Sequence, residues 1–182
     1  MAQKDYKLEI VNSLIGKNWH VRGLAKHLKI NHMVVFRKFK ELYNENVLDY
    51  REEGKNKIYF LKKTLEAKSY IFITENYKLI QLLKKHLFLR NVIEKIQGDK
   101  RIQLAVLFGS YAKDLANNKS DIDVYVDTED KQIKKDLELI NSKLNIKIGK
   151  YNKDNLLIKE IEDNHVIIKG VEKFYENYNL FR

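Results

Sequence analysis

Apolar residues recur at helical spacing along the first part of the chain. The spacing predicts a helix over 4–15 with an inward stripe of Leu8, Val11, Leu14 and Ile15. A second helix is predicted over 20–28, with Leu24 and Leu28 inward. Asn31 is expected to cap a third helix running to about Asn44, because its side-chain oxygen can accept from free backbone N–H groups. The buried face of that helix should be Val35, Phe39 and Leu42.

A hairpin is expected after the third helix. Residues 47–51 and 57–61 have the composition of strands and flank the turn-forming run Glu53, Gly54, Lys55 and Asn56.

The segment after the hairpin has helical character. It contains neither Gly nor Pro between Gly54 and Gly98, and apolar residues recur there at helical spacing: Leu79, Leu82, Leu83, Leu87, Val92, Ile93 and Ile96. A helical connector is predicted, whose Leu-rich stripe serves as core or as a homodimer interface. The aromatic and β-branched run 70–74 leaves a strand open as an alternative.

Strands and helices alternate in the last part of the chain. The continuous apolar run 104–108 predicts a strand covered on both faces. Further strands are expected from Asp121 to Val126, over 146–148 and over 166–168. Helices are expected from Ser110 to about Leu115, over 133–144 and over 155–163. The whole pattern predicts an α/β (α+β) protein.

The composition indicates the cellular compartment in which the protein is expected. The 182 residues are 44% hydrophobic, which suits one or two compact domains, and contain no Cys, which excludes disulfides and thiolate metal sites. The charged start MAQKDYKLEI lacks the apolar core of a signal peptide, and no run of apolar residues is long enough to cross a membrane. A cytoplasmic protein with no membrane association is expected.

Positive charge is concentrated in the first half of the chain. Residues 1–100 contain 21 Lys and Arg against 11 Asp and Glu, whereas residues 101–182 contain 14 of each. This asymmetry is typical of a polyanion-binding module joined to a neutral domain.

Three helices followed by a basic hairpin resemble the winged helix-turn-helix family over residues 4–62. The resemblance implies that the third helix enters the major groove of duplex DNA and that the hairpin contacts its backbone. The residues placed at DNA by this comparison are His32, Arg37, Lys38, Lys40, Lys55 and Lys57. The alternative is a protein-interaction module whose lysines are only solvated.

The stretch LAVLFGSYAKDLANNKSDIDVYVDT, residues 104–128, contains the candidate chemistry. Gly109 permits a close backbone approach, and Ser110 could cap a helix whose N–H groups face a phosphate. Strand alternation sends Asp121 and Asp123 to one face, where two neighbouring carboxylates repel unless a cation or proton lies between them. Mg²⁺ is the natural occupant because it joins carboxylates to substrate phosphates.

An apolar strand, Gly-Ser, a short helix and Asp-x-Asp on the next strand resemble the minimal nucleotidyltransferase family of the polymerase-beta-like superfamily. The resemblance implies a mixed sheet with helices over 98–182, with Mg²⁺ and ATP or another nucleoside triphosphate as cofactors. Gly109, Ser110 and Lys113 then correspond to the nucleotide-binding residues, and Asp121 and Asp123 to the catalytic metal ligands. Asp114 stands where a second glycine is frequent.

One position departs from that family. Active members have a third acidic residue on the strand after the long helix, and the matching triplet here is Ile146, Lys147, Ile148. Lys147 is expected to modify the site by pairing with Asp121 or Asp123, which would weaken metal binding and catalysis. The nearest alternative acid is Asp154.

Three functions remain open at this point. The chain could transfer a nucleoside monophosphate to an unknown acceptor. It could instead be a DNA-binding transcription regulator whose degenerate nucleotidyltransferase domain binds nucleotide or a partner, or an antitoxin-like partner of another protein. The predicted domains are a DNA-binding winged helix over 1–62, a connector over 63–97 and a nucleotidyltransferase-like domain over 98–182.

Overall fold

The computed structural model describes residues 4–180. Residues 1–3, at the start of the first predicted domain, and residues 181–182, at the end of the third, lie outside the description. The chain forms two compact units, of which the second is Lys78–Asn179. The first consists of the chain up to Tyr77 together with Leu180. The division therefore falls inside the segment predicted as a connector, and the three-part division of the sequence stays a prediction.

Three helices open the first unit: α1 (Tyr6–Leu14), α2 (Val21–Leu28) and α3 (His32–Asn44). The predicted cap of α3 is confirmed, since the Asn31 side chain accepts a hydrogen bond from the Met33 amide at 2.8 Å. The predicted buried face is also confirmed, because all three of its residues are fully buried: Val35, Phe39 and Leu42. They join the α1 and α2 side chains in the core of this unit.

A hairpin of β1 (Leu48–Glu53) and β2 (Asn56–Leu61) follows the helices. The strands are antiparallel, and Gly54 in their turn has a φ of +60°. Trp19, between α1 and α2, forms an isolated bridge to Tyr59 and so ties the hairpin to the helices. The element order expected for a winged helix-turn-helix is present.

The predicted connector is helical and consists of α4 (Leu65–Lys85) and α5 (Leu89–Gly98). The strand alternative for 70–74 is wrong, because burial there follows a helical period: Ile71 and Thr74 are fully buried and Ile73 between them is half exposed. Most of the Leu-rich stripe, including Leu79, Leu82 and Ile96, belongs to the core of the second unit. A homodimer through this stripe stays a prediction that these buried side chains do not support.

The second unit is built on a four-stranded mixed sheet. Its strands are β3 (Ala105–Leu107), β4 (Ile122–Asp127), β5 (Leu144–Gly149) and β6 (Val166–Lys169), in the order β5-β4-β3-β6. Only β4 and β5 pair in parallel. The remaining helices are α6 (Gly109–Ala112), α7 (Lys131–Glu138), α8 (Leu156–Asp163) and α9 (Val171–Tyr178). The predicted α+β fold class is confirmed.

The two faces of this sheet differ in chemistry. Alternate residues of β4, including Ile122 and Val124, join a buried cluster with the side chains of α5 and α7. Alternation therefore turns Asp123 and Tyr125 to the opposite face. Among the helices of residues 4–180, none combines the length and the apolar character that crossing a membrane requires.

Candidate functional site

The two aspartates predicted to bind metal lie at the start of β4. Asp123 is the second residue of the strand and is half-buried. Asp121 is exposed and lies immediately before the strand begins. The chain reaches this end of β4 through a loop that is held by its own polar groups, since the Asn117 amide donates to Ser120 Oγ at 2.9 Å.

Gly109 lies directly against the carboxylate of Asp123. The Phe108 amide donates to the Asp123 backbone carbonyl at 3.0 Å, which brings the end of β3 to the start of β4. Gly109 has a φ of +68°, and a Cβ built on it would lie 2.5 Å from Asp123 Oδ2. Glycine is favoured here because the left-handed backbone would strain any other residue, and a Cβ would also displace the Asp123 carboxylate.

The Gly-Ser turn differs in one detail from the expectation. The N-cap of α6 is Phe108, which makes no side-chain cap bond, and Ser110 lies within the helix. The prediction that Ser110 caps the helix is therefore wrong, because the left-handed Gly109 starts the helix one residue earlier. Asp114 also has a positive φ, of +58°, so the place where a second glycine is frequent does require a left-handed backbone.

Lys113 already has an acidic partner. Its Nζ lies 2.7 Å from Glu160 Oε1 on α8, and both side chains are partly exposed. Exposed ion pairs of this kind are weak, so a phosphate could compete for the ammonium group. Lys113 is thus close enough in sequence to the Gly109 turn to serve the predicted nucleotide site, but it is not a free cation.

The register of β5 corrects the expectation for Lys147. Asp123 pairs with Asn145, whereas Lys147 pairs with Tyr125, two residues further along the strand. Asn145 Nδ2 donates to Asp123 Oδ1 at 2.7 Å. Lys147 is exposed and makes no ion pair with either aspartate among the described residues. The expected salt bridge is wrong, because parallel pairing places an amide, rather than an ammonium group, beside Asp123.

The residues at this end of the sheet fit one Mg²⁺ ion but not two. Asp121 and Asp123 provide oxygen donors, and Mg²⁺ commonly takes one or two carboxylates together with substrate phosphates. The three residues of β5 on this face, Asn145, Lys147 and Gly149, lack a carboxylate. Within residues 4–180 there is no group of three or more His, Asp or Glu side chains that could hold a metal ion. Asp154 lies in the turn before α8.

Phenols occupy the rest of this face. Burial raises the pKa of Tyr125 above its usual range, and the nearby Asp127 carboxylate raises it further. The Tyr125 hydroxyl donates to the Gly149 carbonyl at 2.8 Å, so it stays neutral and its proton is engaged. Burial likewise raises the pKa of Tyr151, whose hydroxyl donates to Glu162. Neither phenol is available as a base for a reaction at Asp123.

The second candidate region is the outer surface of α3. His32, Arg37 and Lys40 are exposed and make no ion pair among residues 4–180, whereas Lys38 is paired with Glu41 at 2.7 Å. Large apolar side chains share this surface: Met33, Phe36 and Tyr43 are 58%, 47% and 46% exposed. Side chains of both kinds occur on helices that read the major groove, where apolar groups contact thymine methyls.

Sequence reasoning missed the basic residues of α2 and the turn after it. Arg22, Lys26 and Lys29 are all exposed. No Asp or Glu stands between Glu9 and Glu41, whereas seven Lys and Arg residues do. The absence of acids from this stretch was the available signal, and it makes the helix-turn-helix segment uniformly basic.

The hairpin is less basic than the helices. Lys55 is exposed in the turn, and Lys57 Nζ lies 4.0 Å from the centre of the Tyr50 ring. Three acidic residues also lie on β1: Asp49, Glu52 and Glu53. The hairpin thus presents its two lysines among carboxylates, so the positive charge of the first unit is carried mainly by α2 and α3.

Comparisons with known proteins add the following findings. Residues 90–173 match the family described as polymerase beta, nucleotidyltransferase, which supports that superfamily for the second unit. No curated protein matches the chain. One solved structure, "Reduced HlyU from Vibrio cholerae N16961", is 18% identical, with 41% of this chain and 78% of that chain covered and a TM-score of 0.36.

Proposed function

We propose that this chain is a DNA-binding transcriptional regulator whose second unit binds a nucleoside triphosphate with one Mg²⁺ ion and transfers its nucleotidyl group slowly or not at all. The observation that carries the proposal is the pairing of Asp123 with Asn145. An amide brings no negative charge to offset a second metal ion, and it does not act as a proton acceptor near neutral pH. This site can therefore bind a nucleoside triphosphate without transferring its nucleotidyl group rapidly.

Each residue has a distinct role in nucleotide binding. Asp121 and Asp123 hold the ion, which when bound neutralises phosphate charge. The backbone at Gly109 approaches the phosphates because it carries no side chain, and Ser110 supplies a hydroxyl donor. Lys113 exchanges its exposed partner Glu160 for a phosphate oxygen. Asn145 keeps Asp123 oriented through its hydrogen bond.

Nucleotidyl transfer is the second candidate function, and the fit of Gly109 against Asp123 favours it. In that reaction an acceptor hydroxyl attacks the α-phosphorus, the bond from the α-phosphorus to the α,β-bridging oxygen breaks, and pyrophosphate leaves. The acceptor must lose a proton during the attack. Asp123, already hydrogen-bonded to Asn145, would be the carboxylate nearest to receive it, which predicts a low rate.

Support for DNA binding comes from charge. The stretch from Val21 to Lys40 contains six exposed or partly exposed basic side chains and no acid. Lys and Arg side chains that neutralise phosphates release condensed counterions, which supplies most of the affinity for duplex DNA.

Titration calorimetry of the full chain with ATP, with and without Mg²⁺, tests the nucleotide proposal. We expect Mg²⁺-dependent binding that Asp123→Asn weakens at least tenfold, whereas Asp154→Asn, an exposed acid outside the site, leaves it unchanged. Pyrophosphate release from the four common nucleoside triphosphates should be barely above the rate without protein. Rapid release would establish transfer instead, and equal binding by the two variants would remove the site assignment.

Fluorescence anisotropy with a labelled duplex tests the DNA proposal on the full chain. We expect binding that weakens steeply as the salt concentration rises, because counterion release drives it. If the chain does not bind the duplex at low salt, the DNA-binding half of the proposal is wrong. The alternative, that the first unit is a protein-interaction module, would then stand.

A further inference from the structure

The second unit contains a cavity of about 410 Å³. This volume lies within the usual range for small-molecule sites, about 300–1,000 Å³. One wall is aromatic and consists of His86, Phe88 and Tyr111. The other wall is polar and includes Asn117, Asn118 and Asn141. Lys143 also lines the cavity.

The aromatic wall is a fixed set of rings. The centre of the His86 ring lies 5.0 Å from that of Tyr111, with the two planes nearly perpendicular. Phe88 contacts both rings edge-on, at 6.0 Å from each. Tyr111 is only 5% exposed and anchors the set, whereas Phe88 is 52% exposed. The exposed ring of Phe88 can therefore stack against a planar ligand.

The polar wall presents donors. The Asn141 Oδ1 atom accepts from the Lys143 amide at 2.9 Å, and Asn117 Oδ1 accepts from the Lys119 amide at 2.8 Å. The Nδ2 groups of Asn117 and Asn141 make no hydrogen bond among the described residues, so their donors are available to a ligand. Lys143 Nζ donates to the Asn118 carbonyl, which uses one of its three donors. A ligand suited to this wall is rich in acceptors and carries negative charge.

The cavity adjoins the start of β4, since the Ile122 amide donates to the Lys143 carbonyl at 2.8 Å, but it lies on the other face of the sheet from the Asp123 carboxylate. Tyr111 belongs to the apolar cluster beneath α5 and α7, on one face of the sheet. Asp123 points to the opposite face by strand alternation. None of the carboxylates proposed to hold Mg²⁺ lines the cavity, so a ligand there needs no metal ion.

We infer that this cavity is a second, metal-independent site for a nucleoside monophosphate. The base stacks on Phe88, with its ring nitrogens and carbonyl oxygens accepting from the amides of Asn117 and Asn141. The phosphate pairs with the ammonium group of Lys143. A heteroaromatic ring and an anionic acceptor group in one small molecule match the two walls together.

Calorimetric titration of the full chain with AMP, GMP, CMP and UMP, in the presence of EDTA, tests this inference. We expect saturable binding of at least one monophosphate. Phe88→Ala should weaken that binding at least tenfold, and Lys143→Ala should weaken it by a similar factor. Leu139→Ala removes an exposed apolar side chain outside the cavity and should change nothing.

The Asp123→Asn variant separates this inference from the proposed function. Monophosphate binding in EDTA should persist in that variant, whereas Mg²⁺-dependent ATP binding should fall. Three results would overturn the inference: no saturable binding of any monophosphate at millimolar concentration, equal affinity in the Phe88→Ala and Leu139→Ala proteins, or loss of binding in Asp123→Asn. Circular dichroism and urea unfolding of each variant establish that a loss of affinity does not reflect a loss of fold.

Discussion

A Cβ on Gly109 would lie 2.5 Å from Oδ2 of Asp123, so a side chain in the turn after β3 would displace the first carboxylate of β4. This contact joins the two halves of the sequence motif in space. The absence of a side chain at one residue determines where the carboxylate of the other can lie.

Gly109→Ala is therefore expected to reduce both stability and Mg²⁺-dependent ATP binding. The left-handed backbone alone costs about 1–2 kcal/mol, and displacement of the Asp123 carboxylate acts mainly on ATP binding. Gly54→Ala is the matched control, because Gly54 has a similar φ and nothing within 4 Å of its Cβ position. Urea unfolding and calorimetry measure both effects. Equal losses in the two variants would show that the contact with Asp123 has no role.

Asn145→Asp is expected to raise the affinity for Mg²⁺ about tenfold or more. The change places a third carboxylate beside Asp123, where the three groups repel one another until a divalent cation binds. Without metal, the variant should unfold at a lower urea concentration than the parent protein. Calorimetric titration with MgCl₂ measures the affinity directly.

Two further variants serve as controls for that experiment. Asn152→Asp introduces the same charge in the exposed segment after β5 and should not alter Mg²⁺ affinity. Lys147→Asp places a carboxylate roughly 6.6 Å further along the strand and should have a smaller effect than Asn145→Asp. A larger effect at Lys147 would mean that the register-based assignment of the third position is incorrect.

Removing two exposed cations from α3 should lower the salt dependence of DNA binding. Each phosphate contact contributes a slope of about −0.9 in log K against log salt, so Arg37→Ala with Lys40→Ala should make the slope less negative by about 2. Lys131→Ala with Lys159→Ala makes the same charge change in the second unit. Anisotropy titrations over several salt concentrations give both slopes, and identical slopes would place the DNA surface elsewhere.

Stability at acidic pH should depend on Arg101. Hydrogen bonds from the Arg101 guanidinium lower the pKa of Asp99 below its ordinary value of 3.8, and hydrogen bonds from Gln132 and then Arg101 lower that of Asp136. Because the folded-state pKa values lie below those of the unfolded chain, this stabilisation is present above about pH 4 and is lost as the pH falls through the folded values.

Arg101→Gln should thus be less stable than the parent protein near neutral pH, and the difference should shrink as the pH falls below 4. Urea unfolding at a series of pH values measures it. Arg90→Gln removes an exposed arginine whose side chain makes no hydrogen bond or ion pair among the described residues, and it should show no such convergence. A difference that stays constant with pH would mean that the two carboxylates do not sense Arg101.

Local features could be predicted from the sequence because neighbouring residues decide them. The cap at Asn31, the buried face of α3 and the turn at Gly54 each depend on atoms a few positions apart. The sequence motif placed Gly109 and Asp123 in one candidate site, and the antiparallel pairing of β3 with β4 brings the two residues together. Their roles with nucleotide remain predictions.

The register of β5 could be decided only by the tertiary structure. Counting residues along the strand identifies the face that Lys147 shares with Asp123. It does not give the register in which β5 pairs with β4. That offset is determined by the packing of α7 and by side chains such as Ile146 and Val124, which lie far apart in the sequence and pair in the core. One parallel register brings Asn145, rather than Lys147, to the carboxylate, because burying the apolar side chains of both strands together outweighs any attraction between exposed charges.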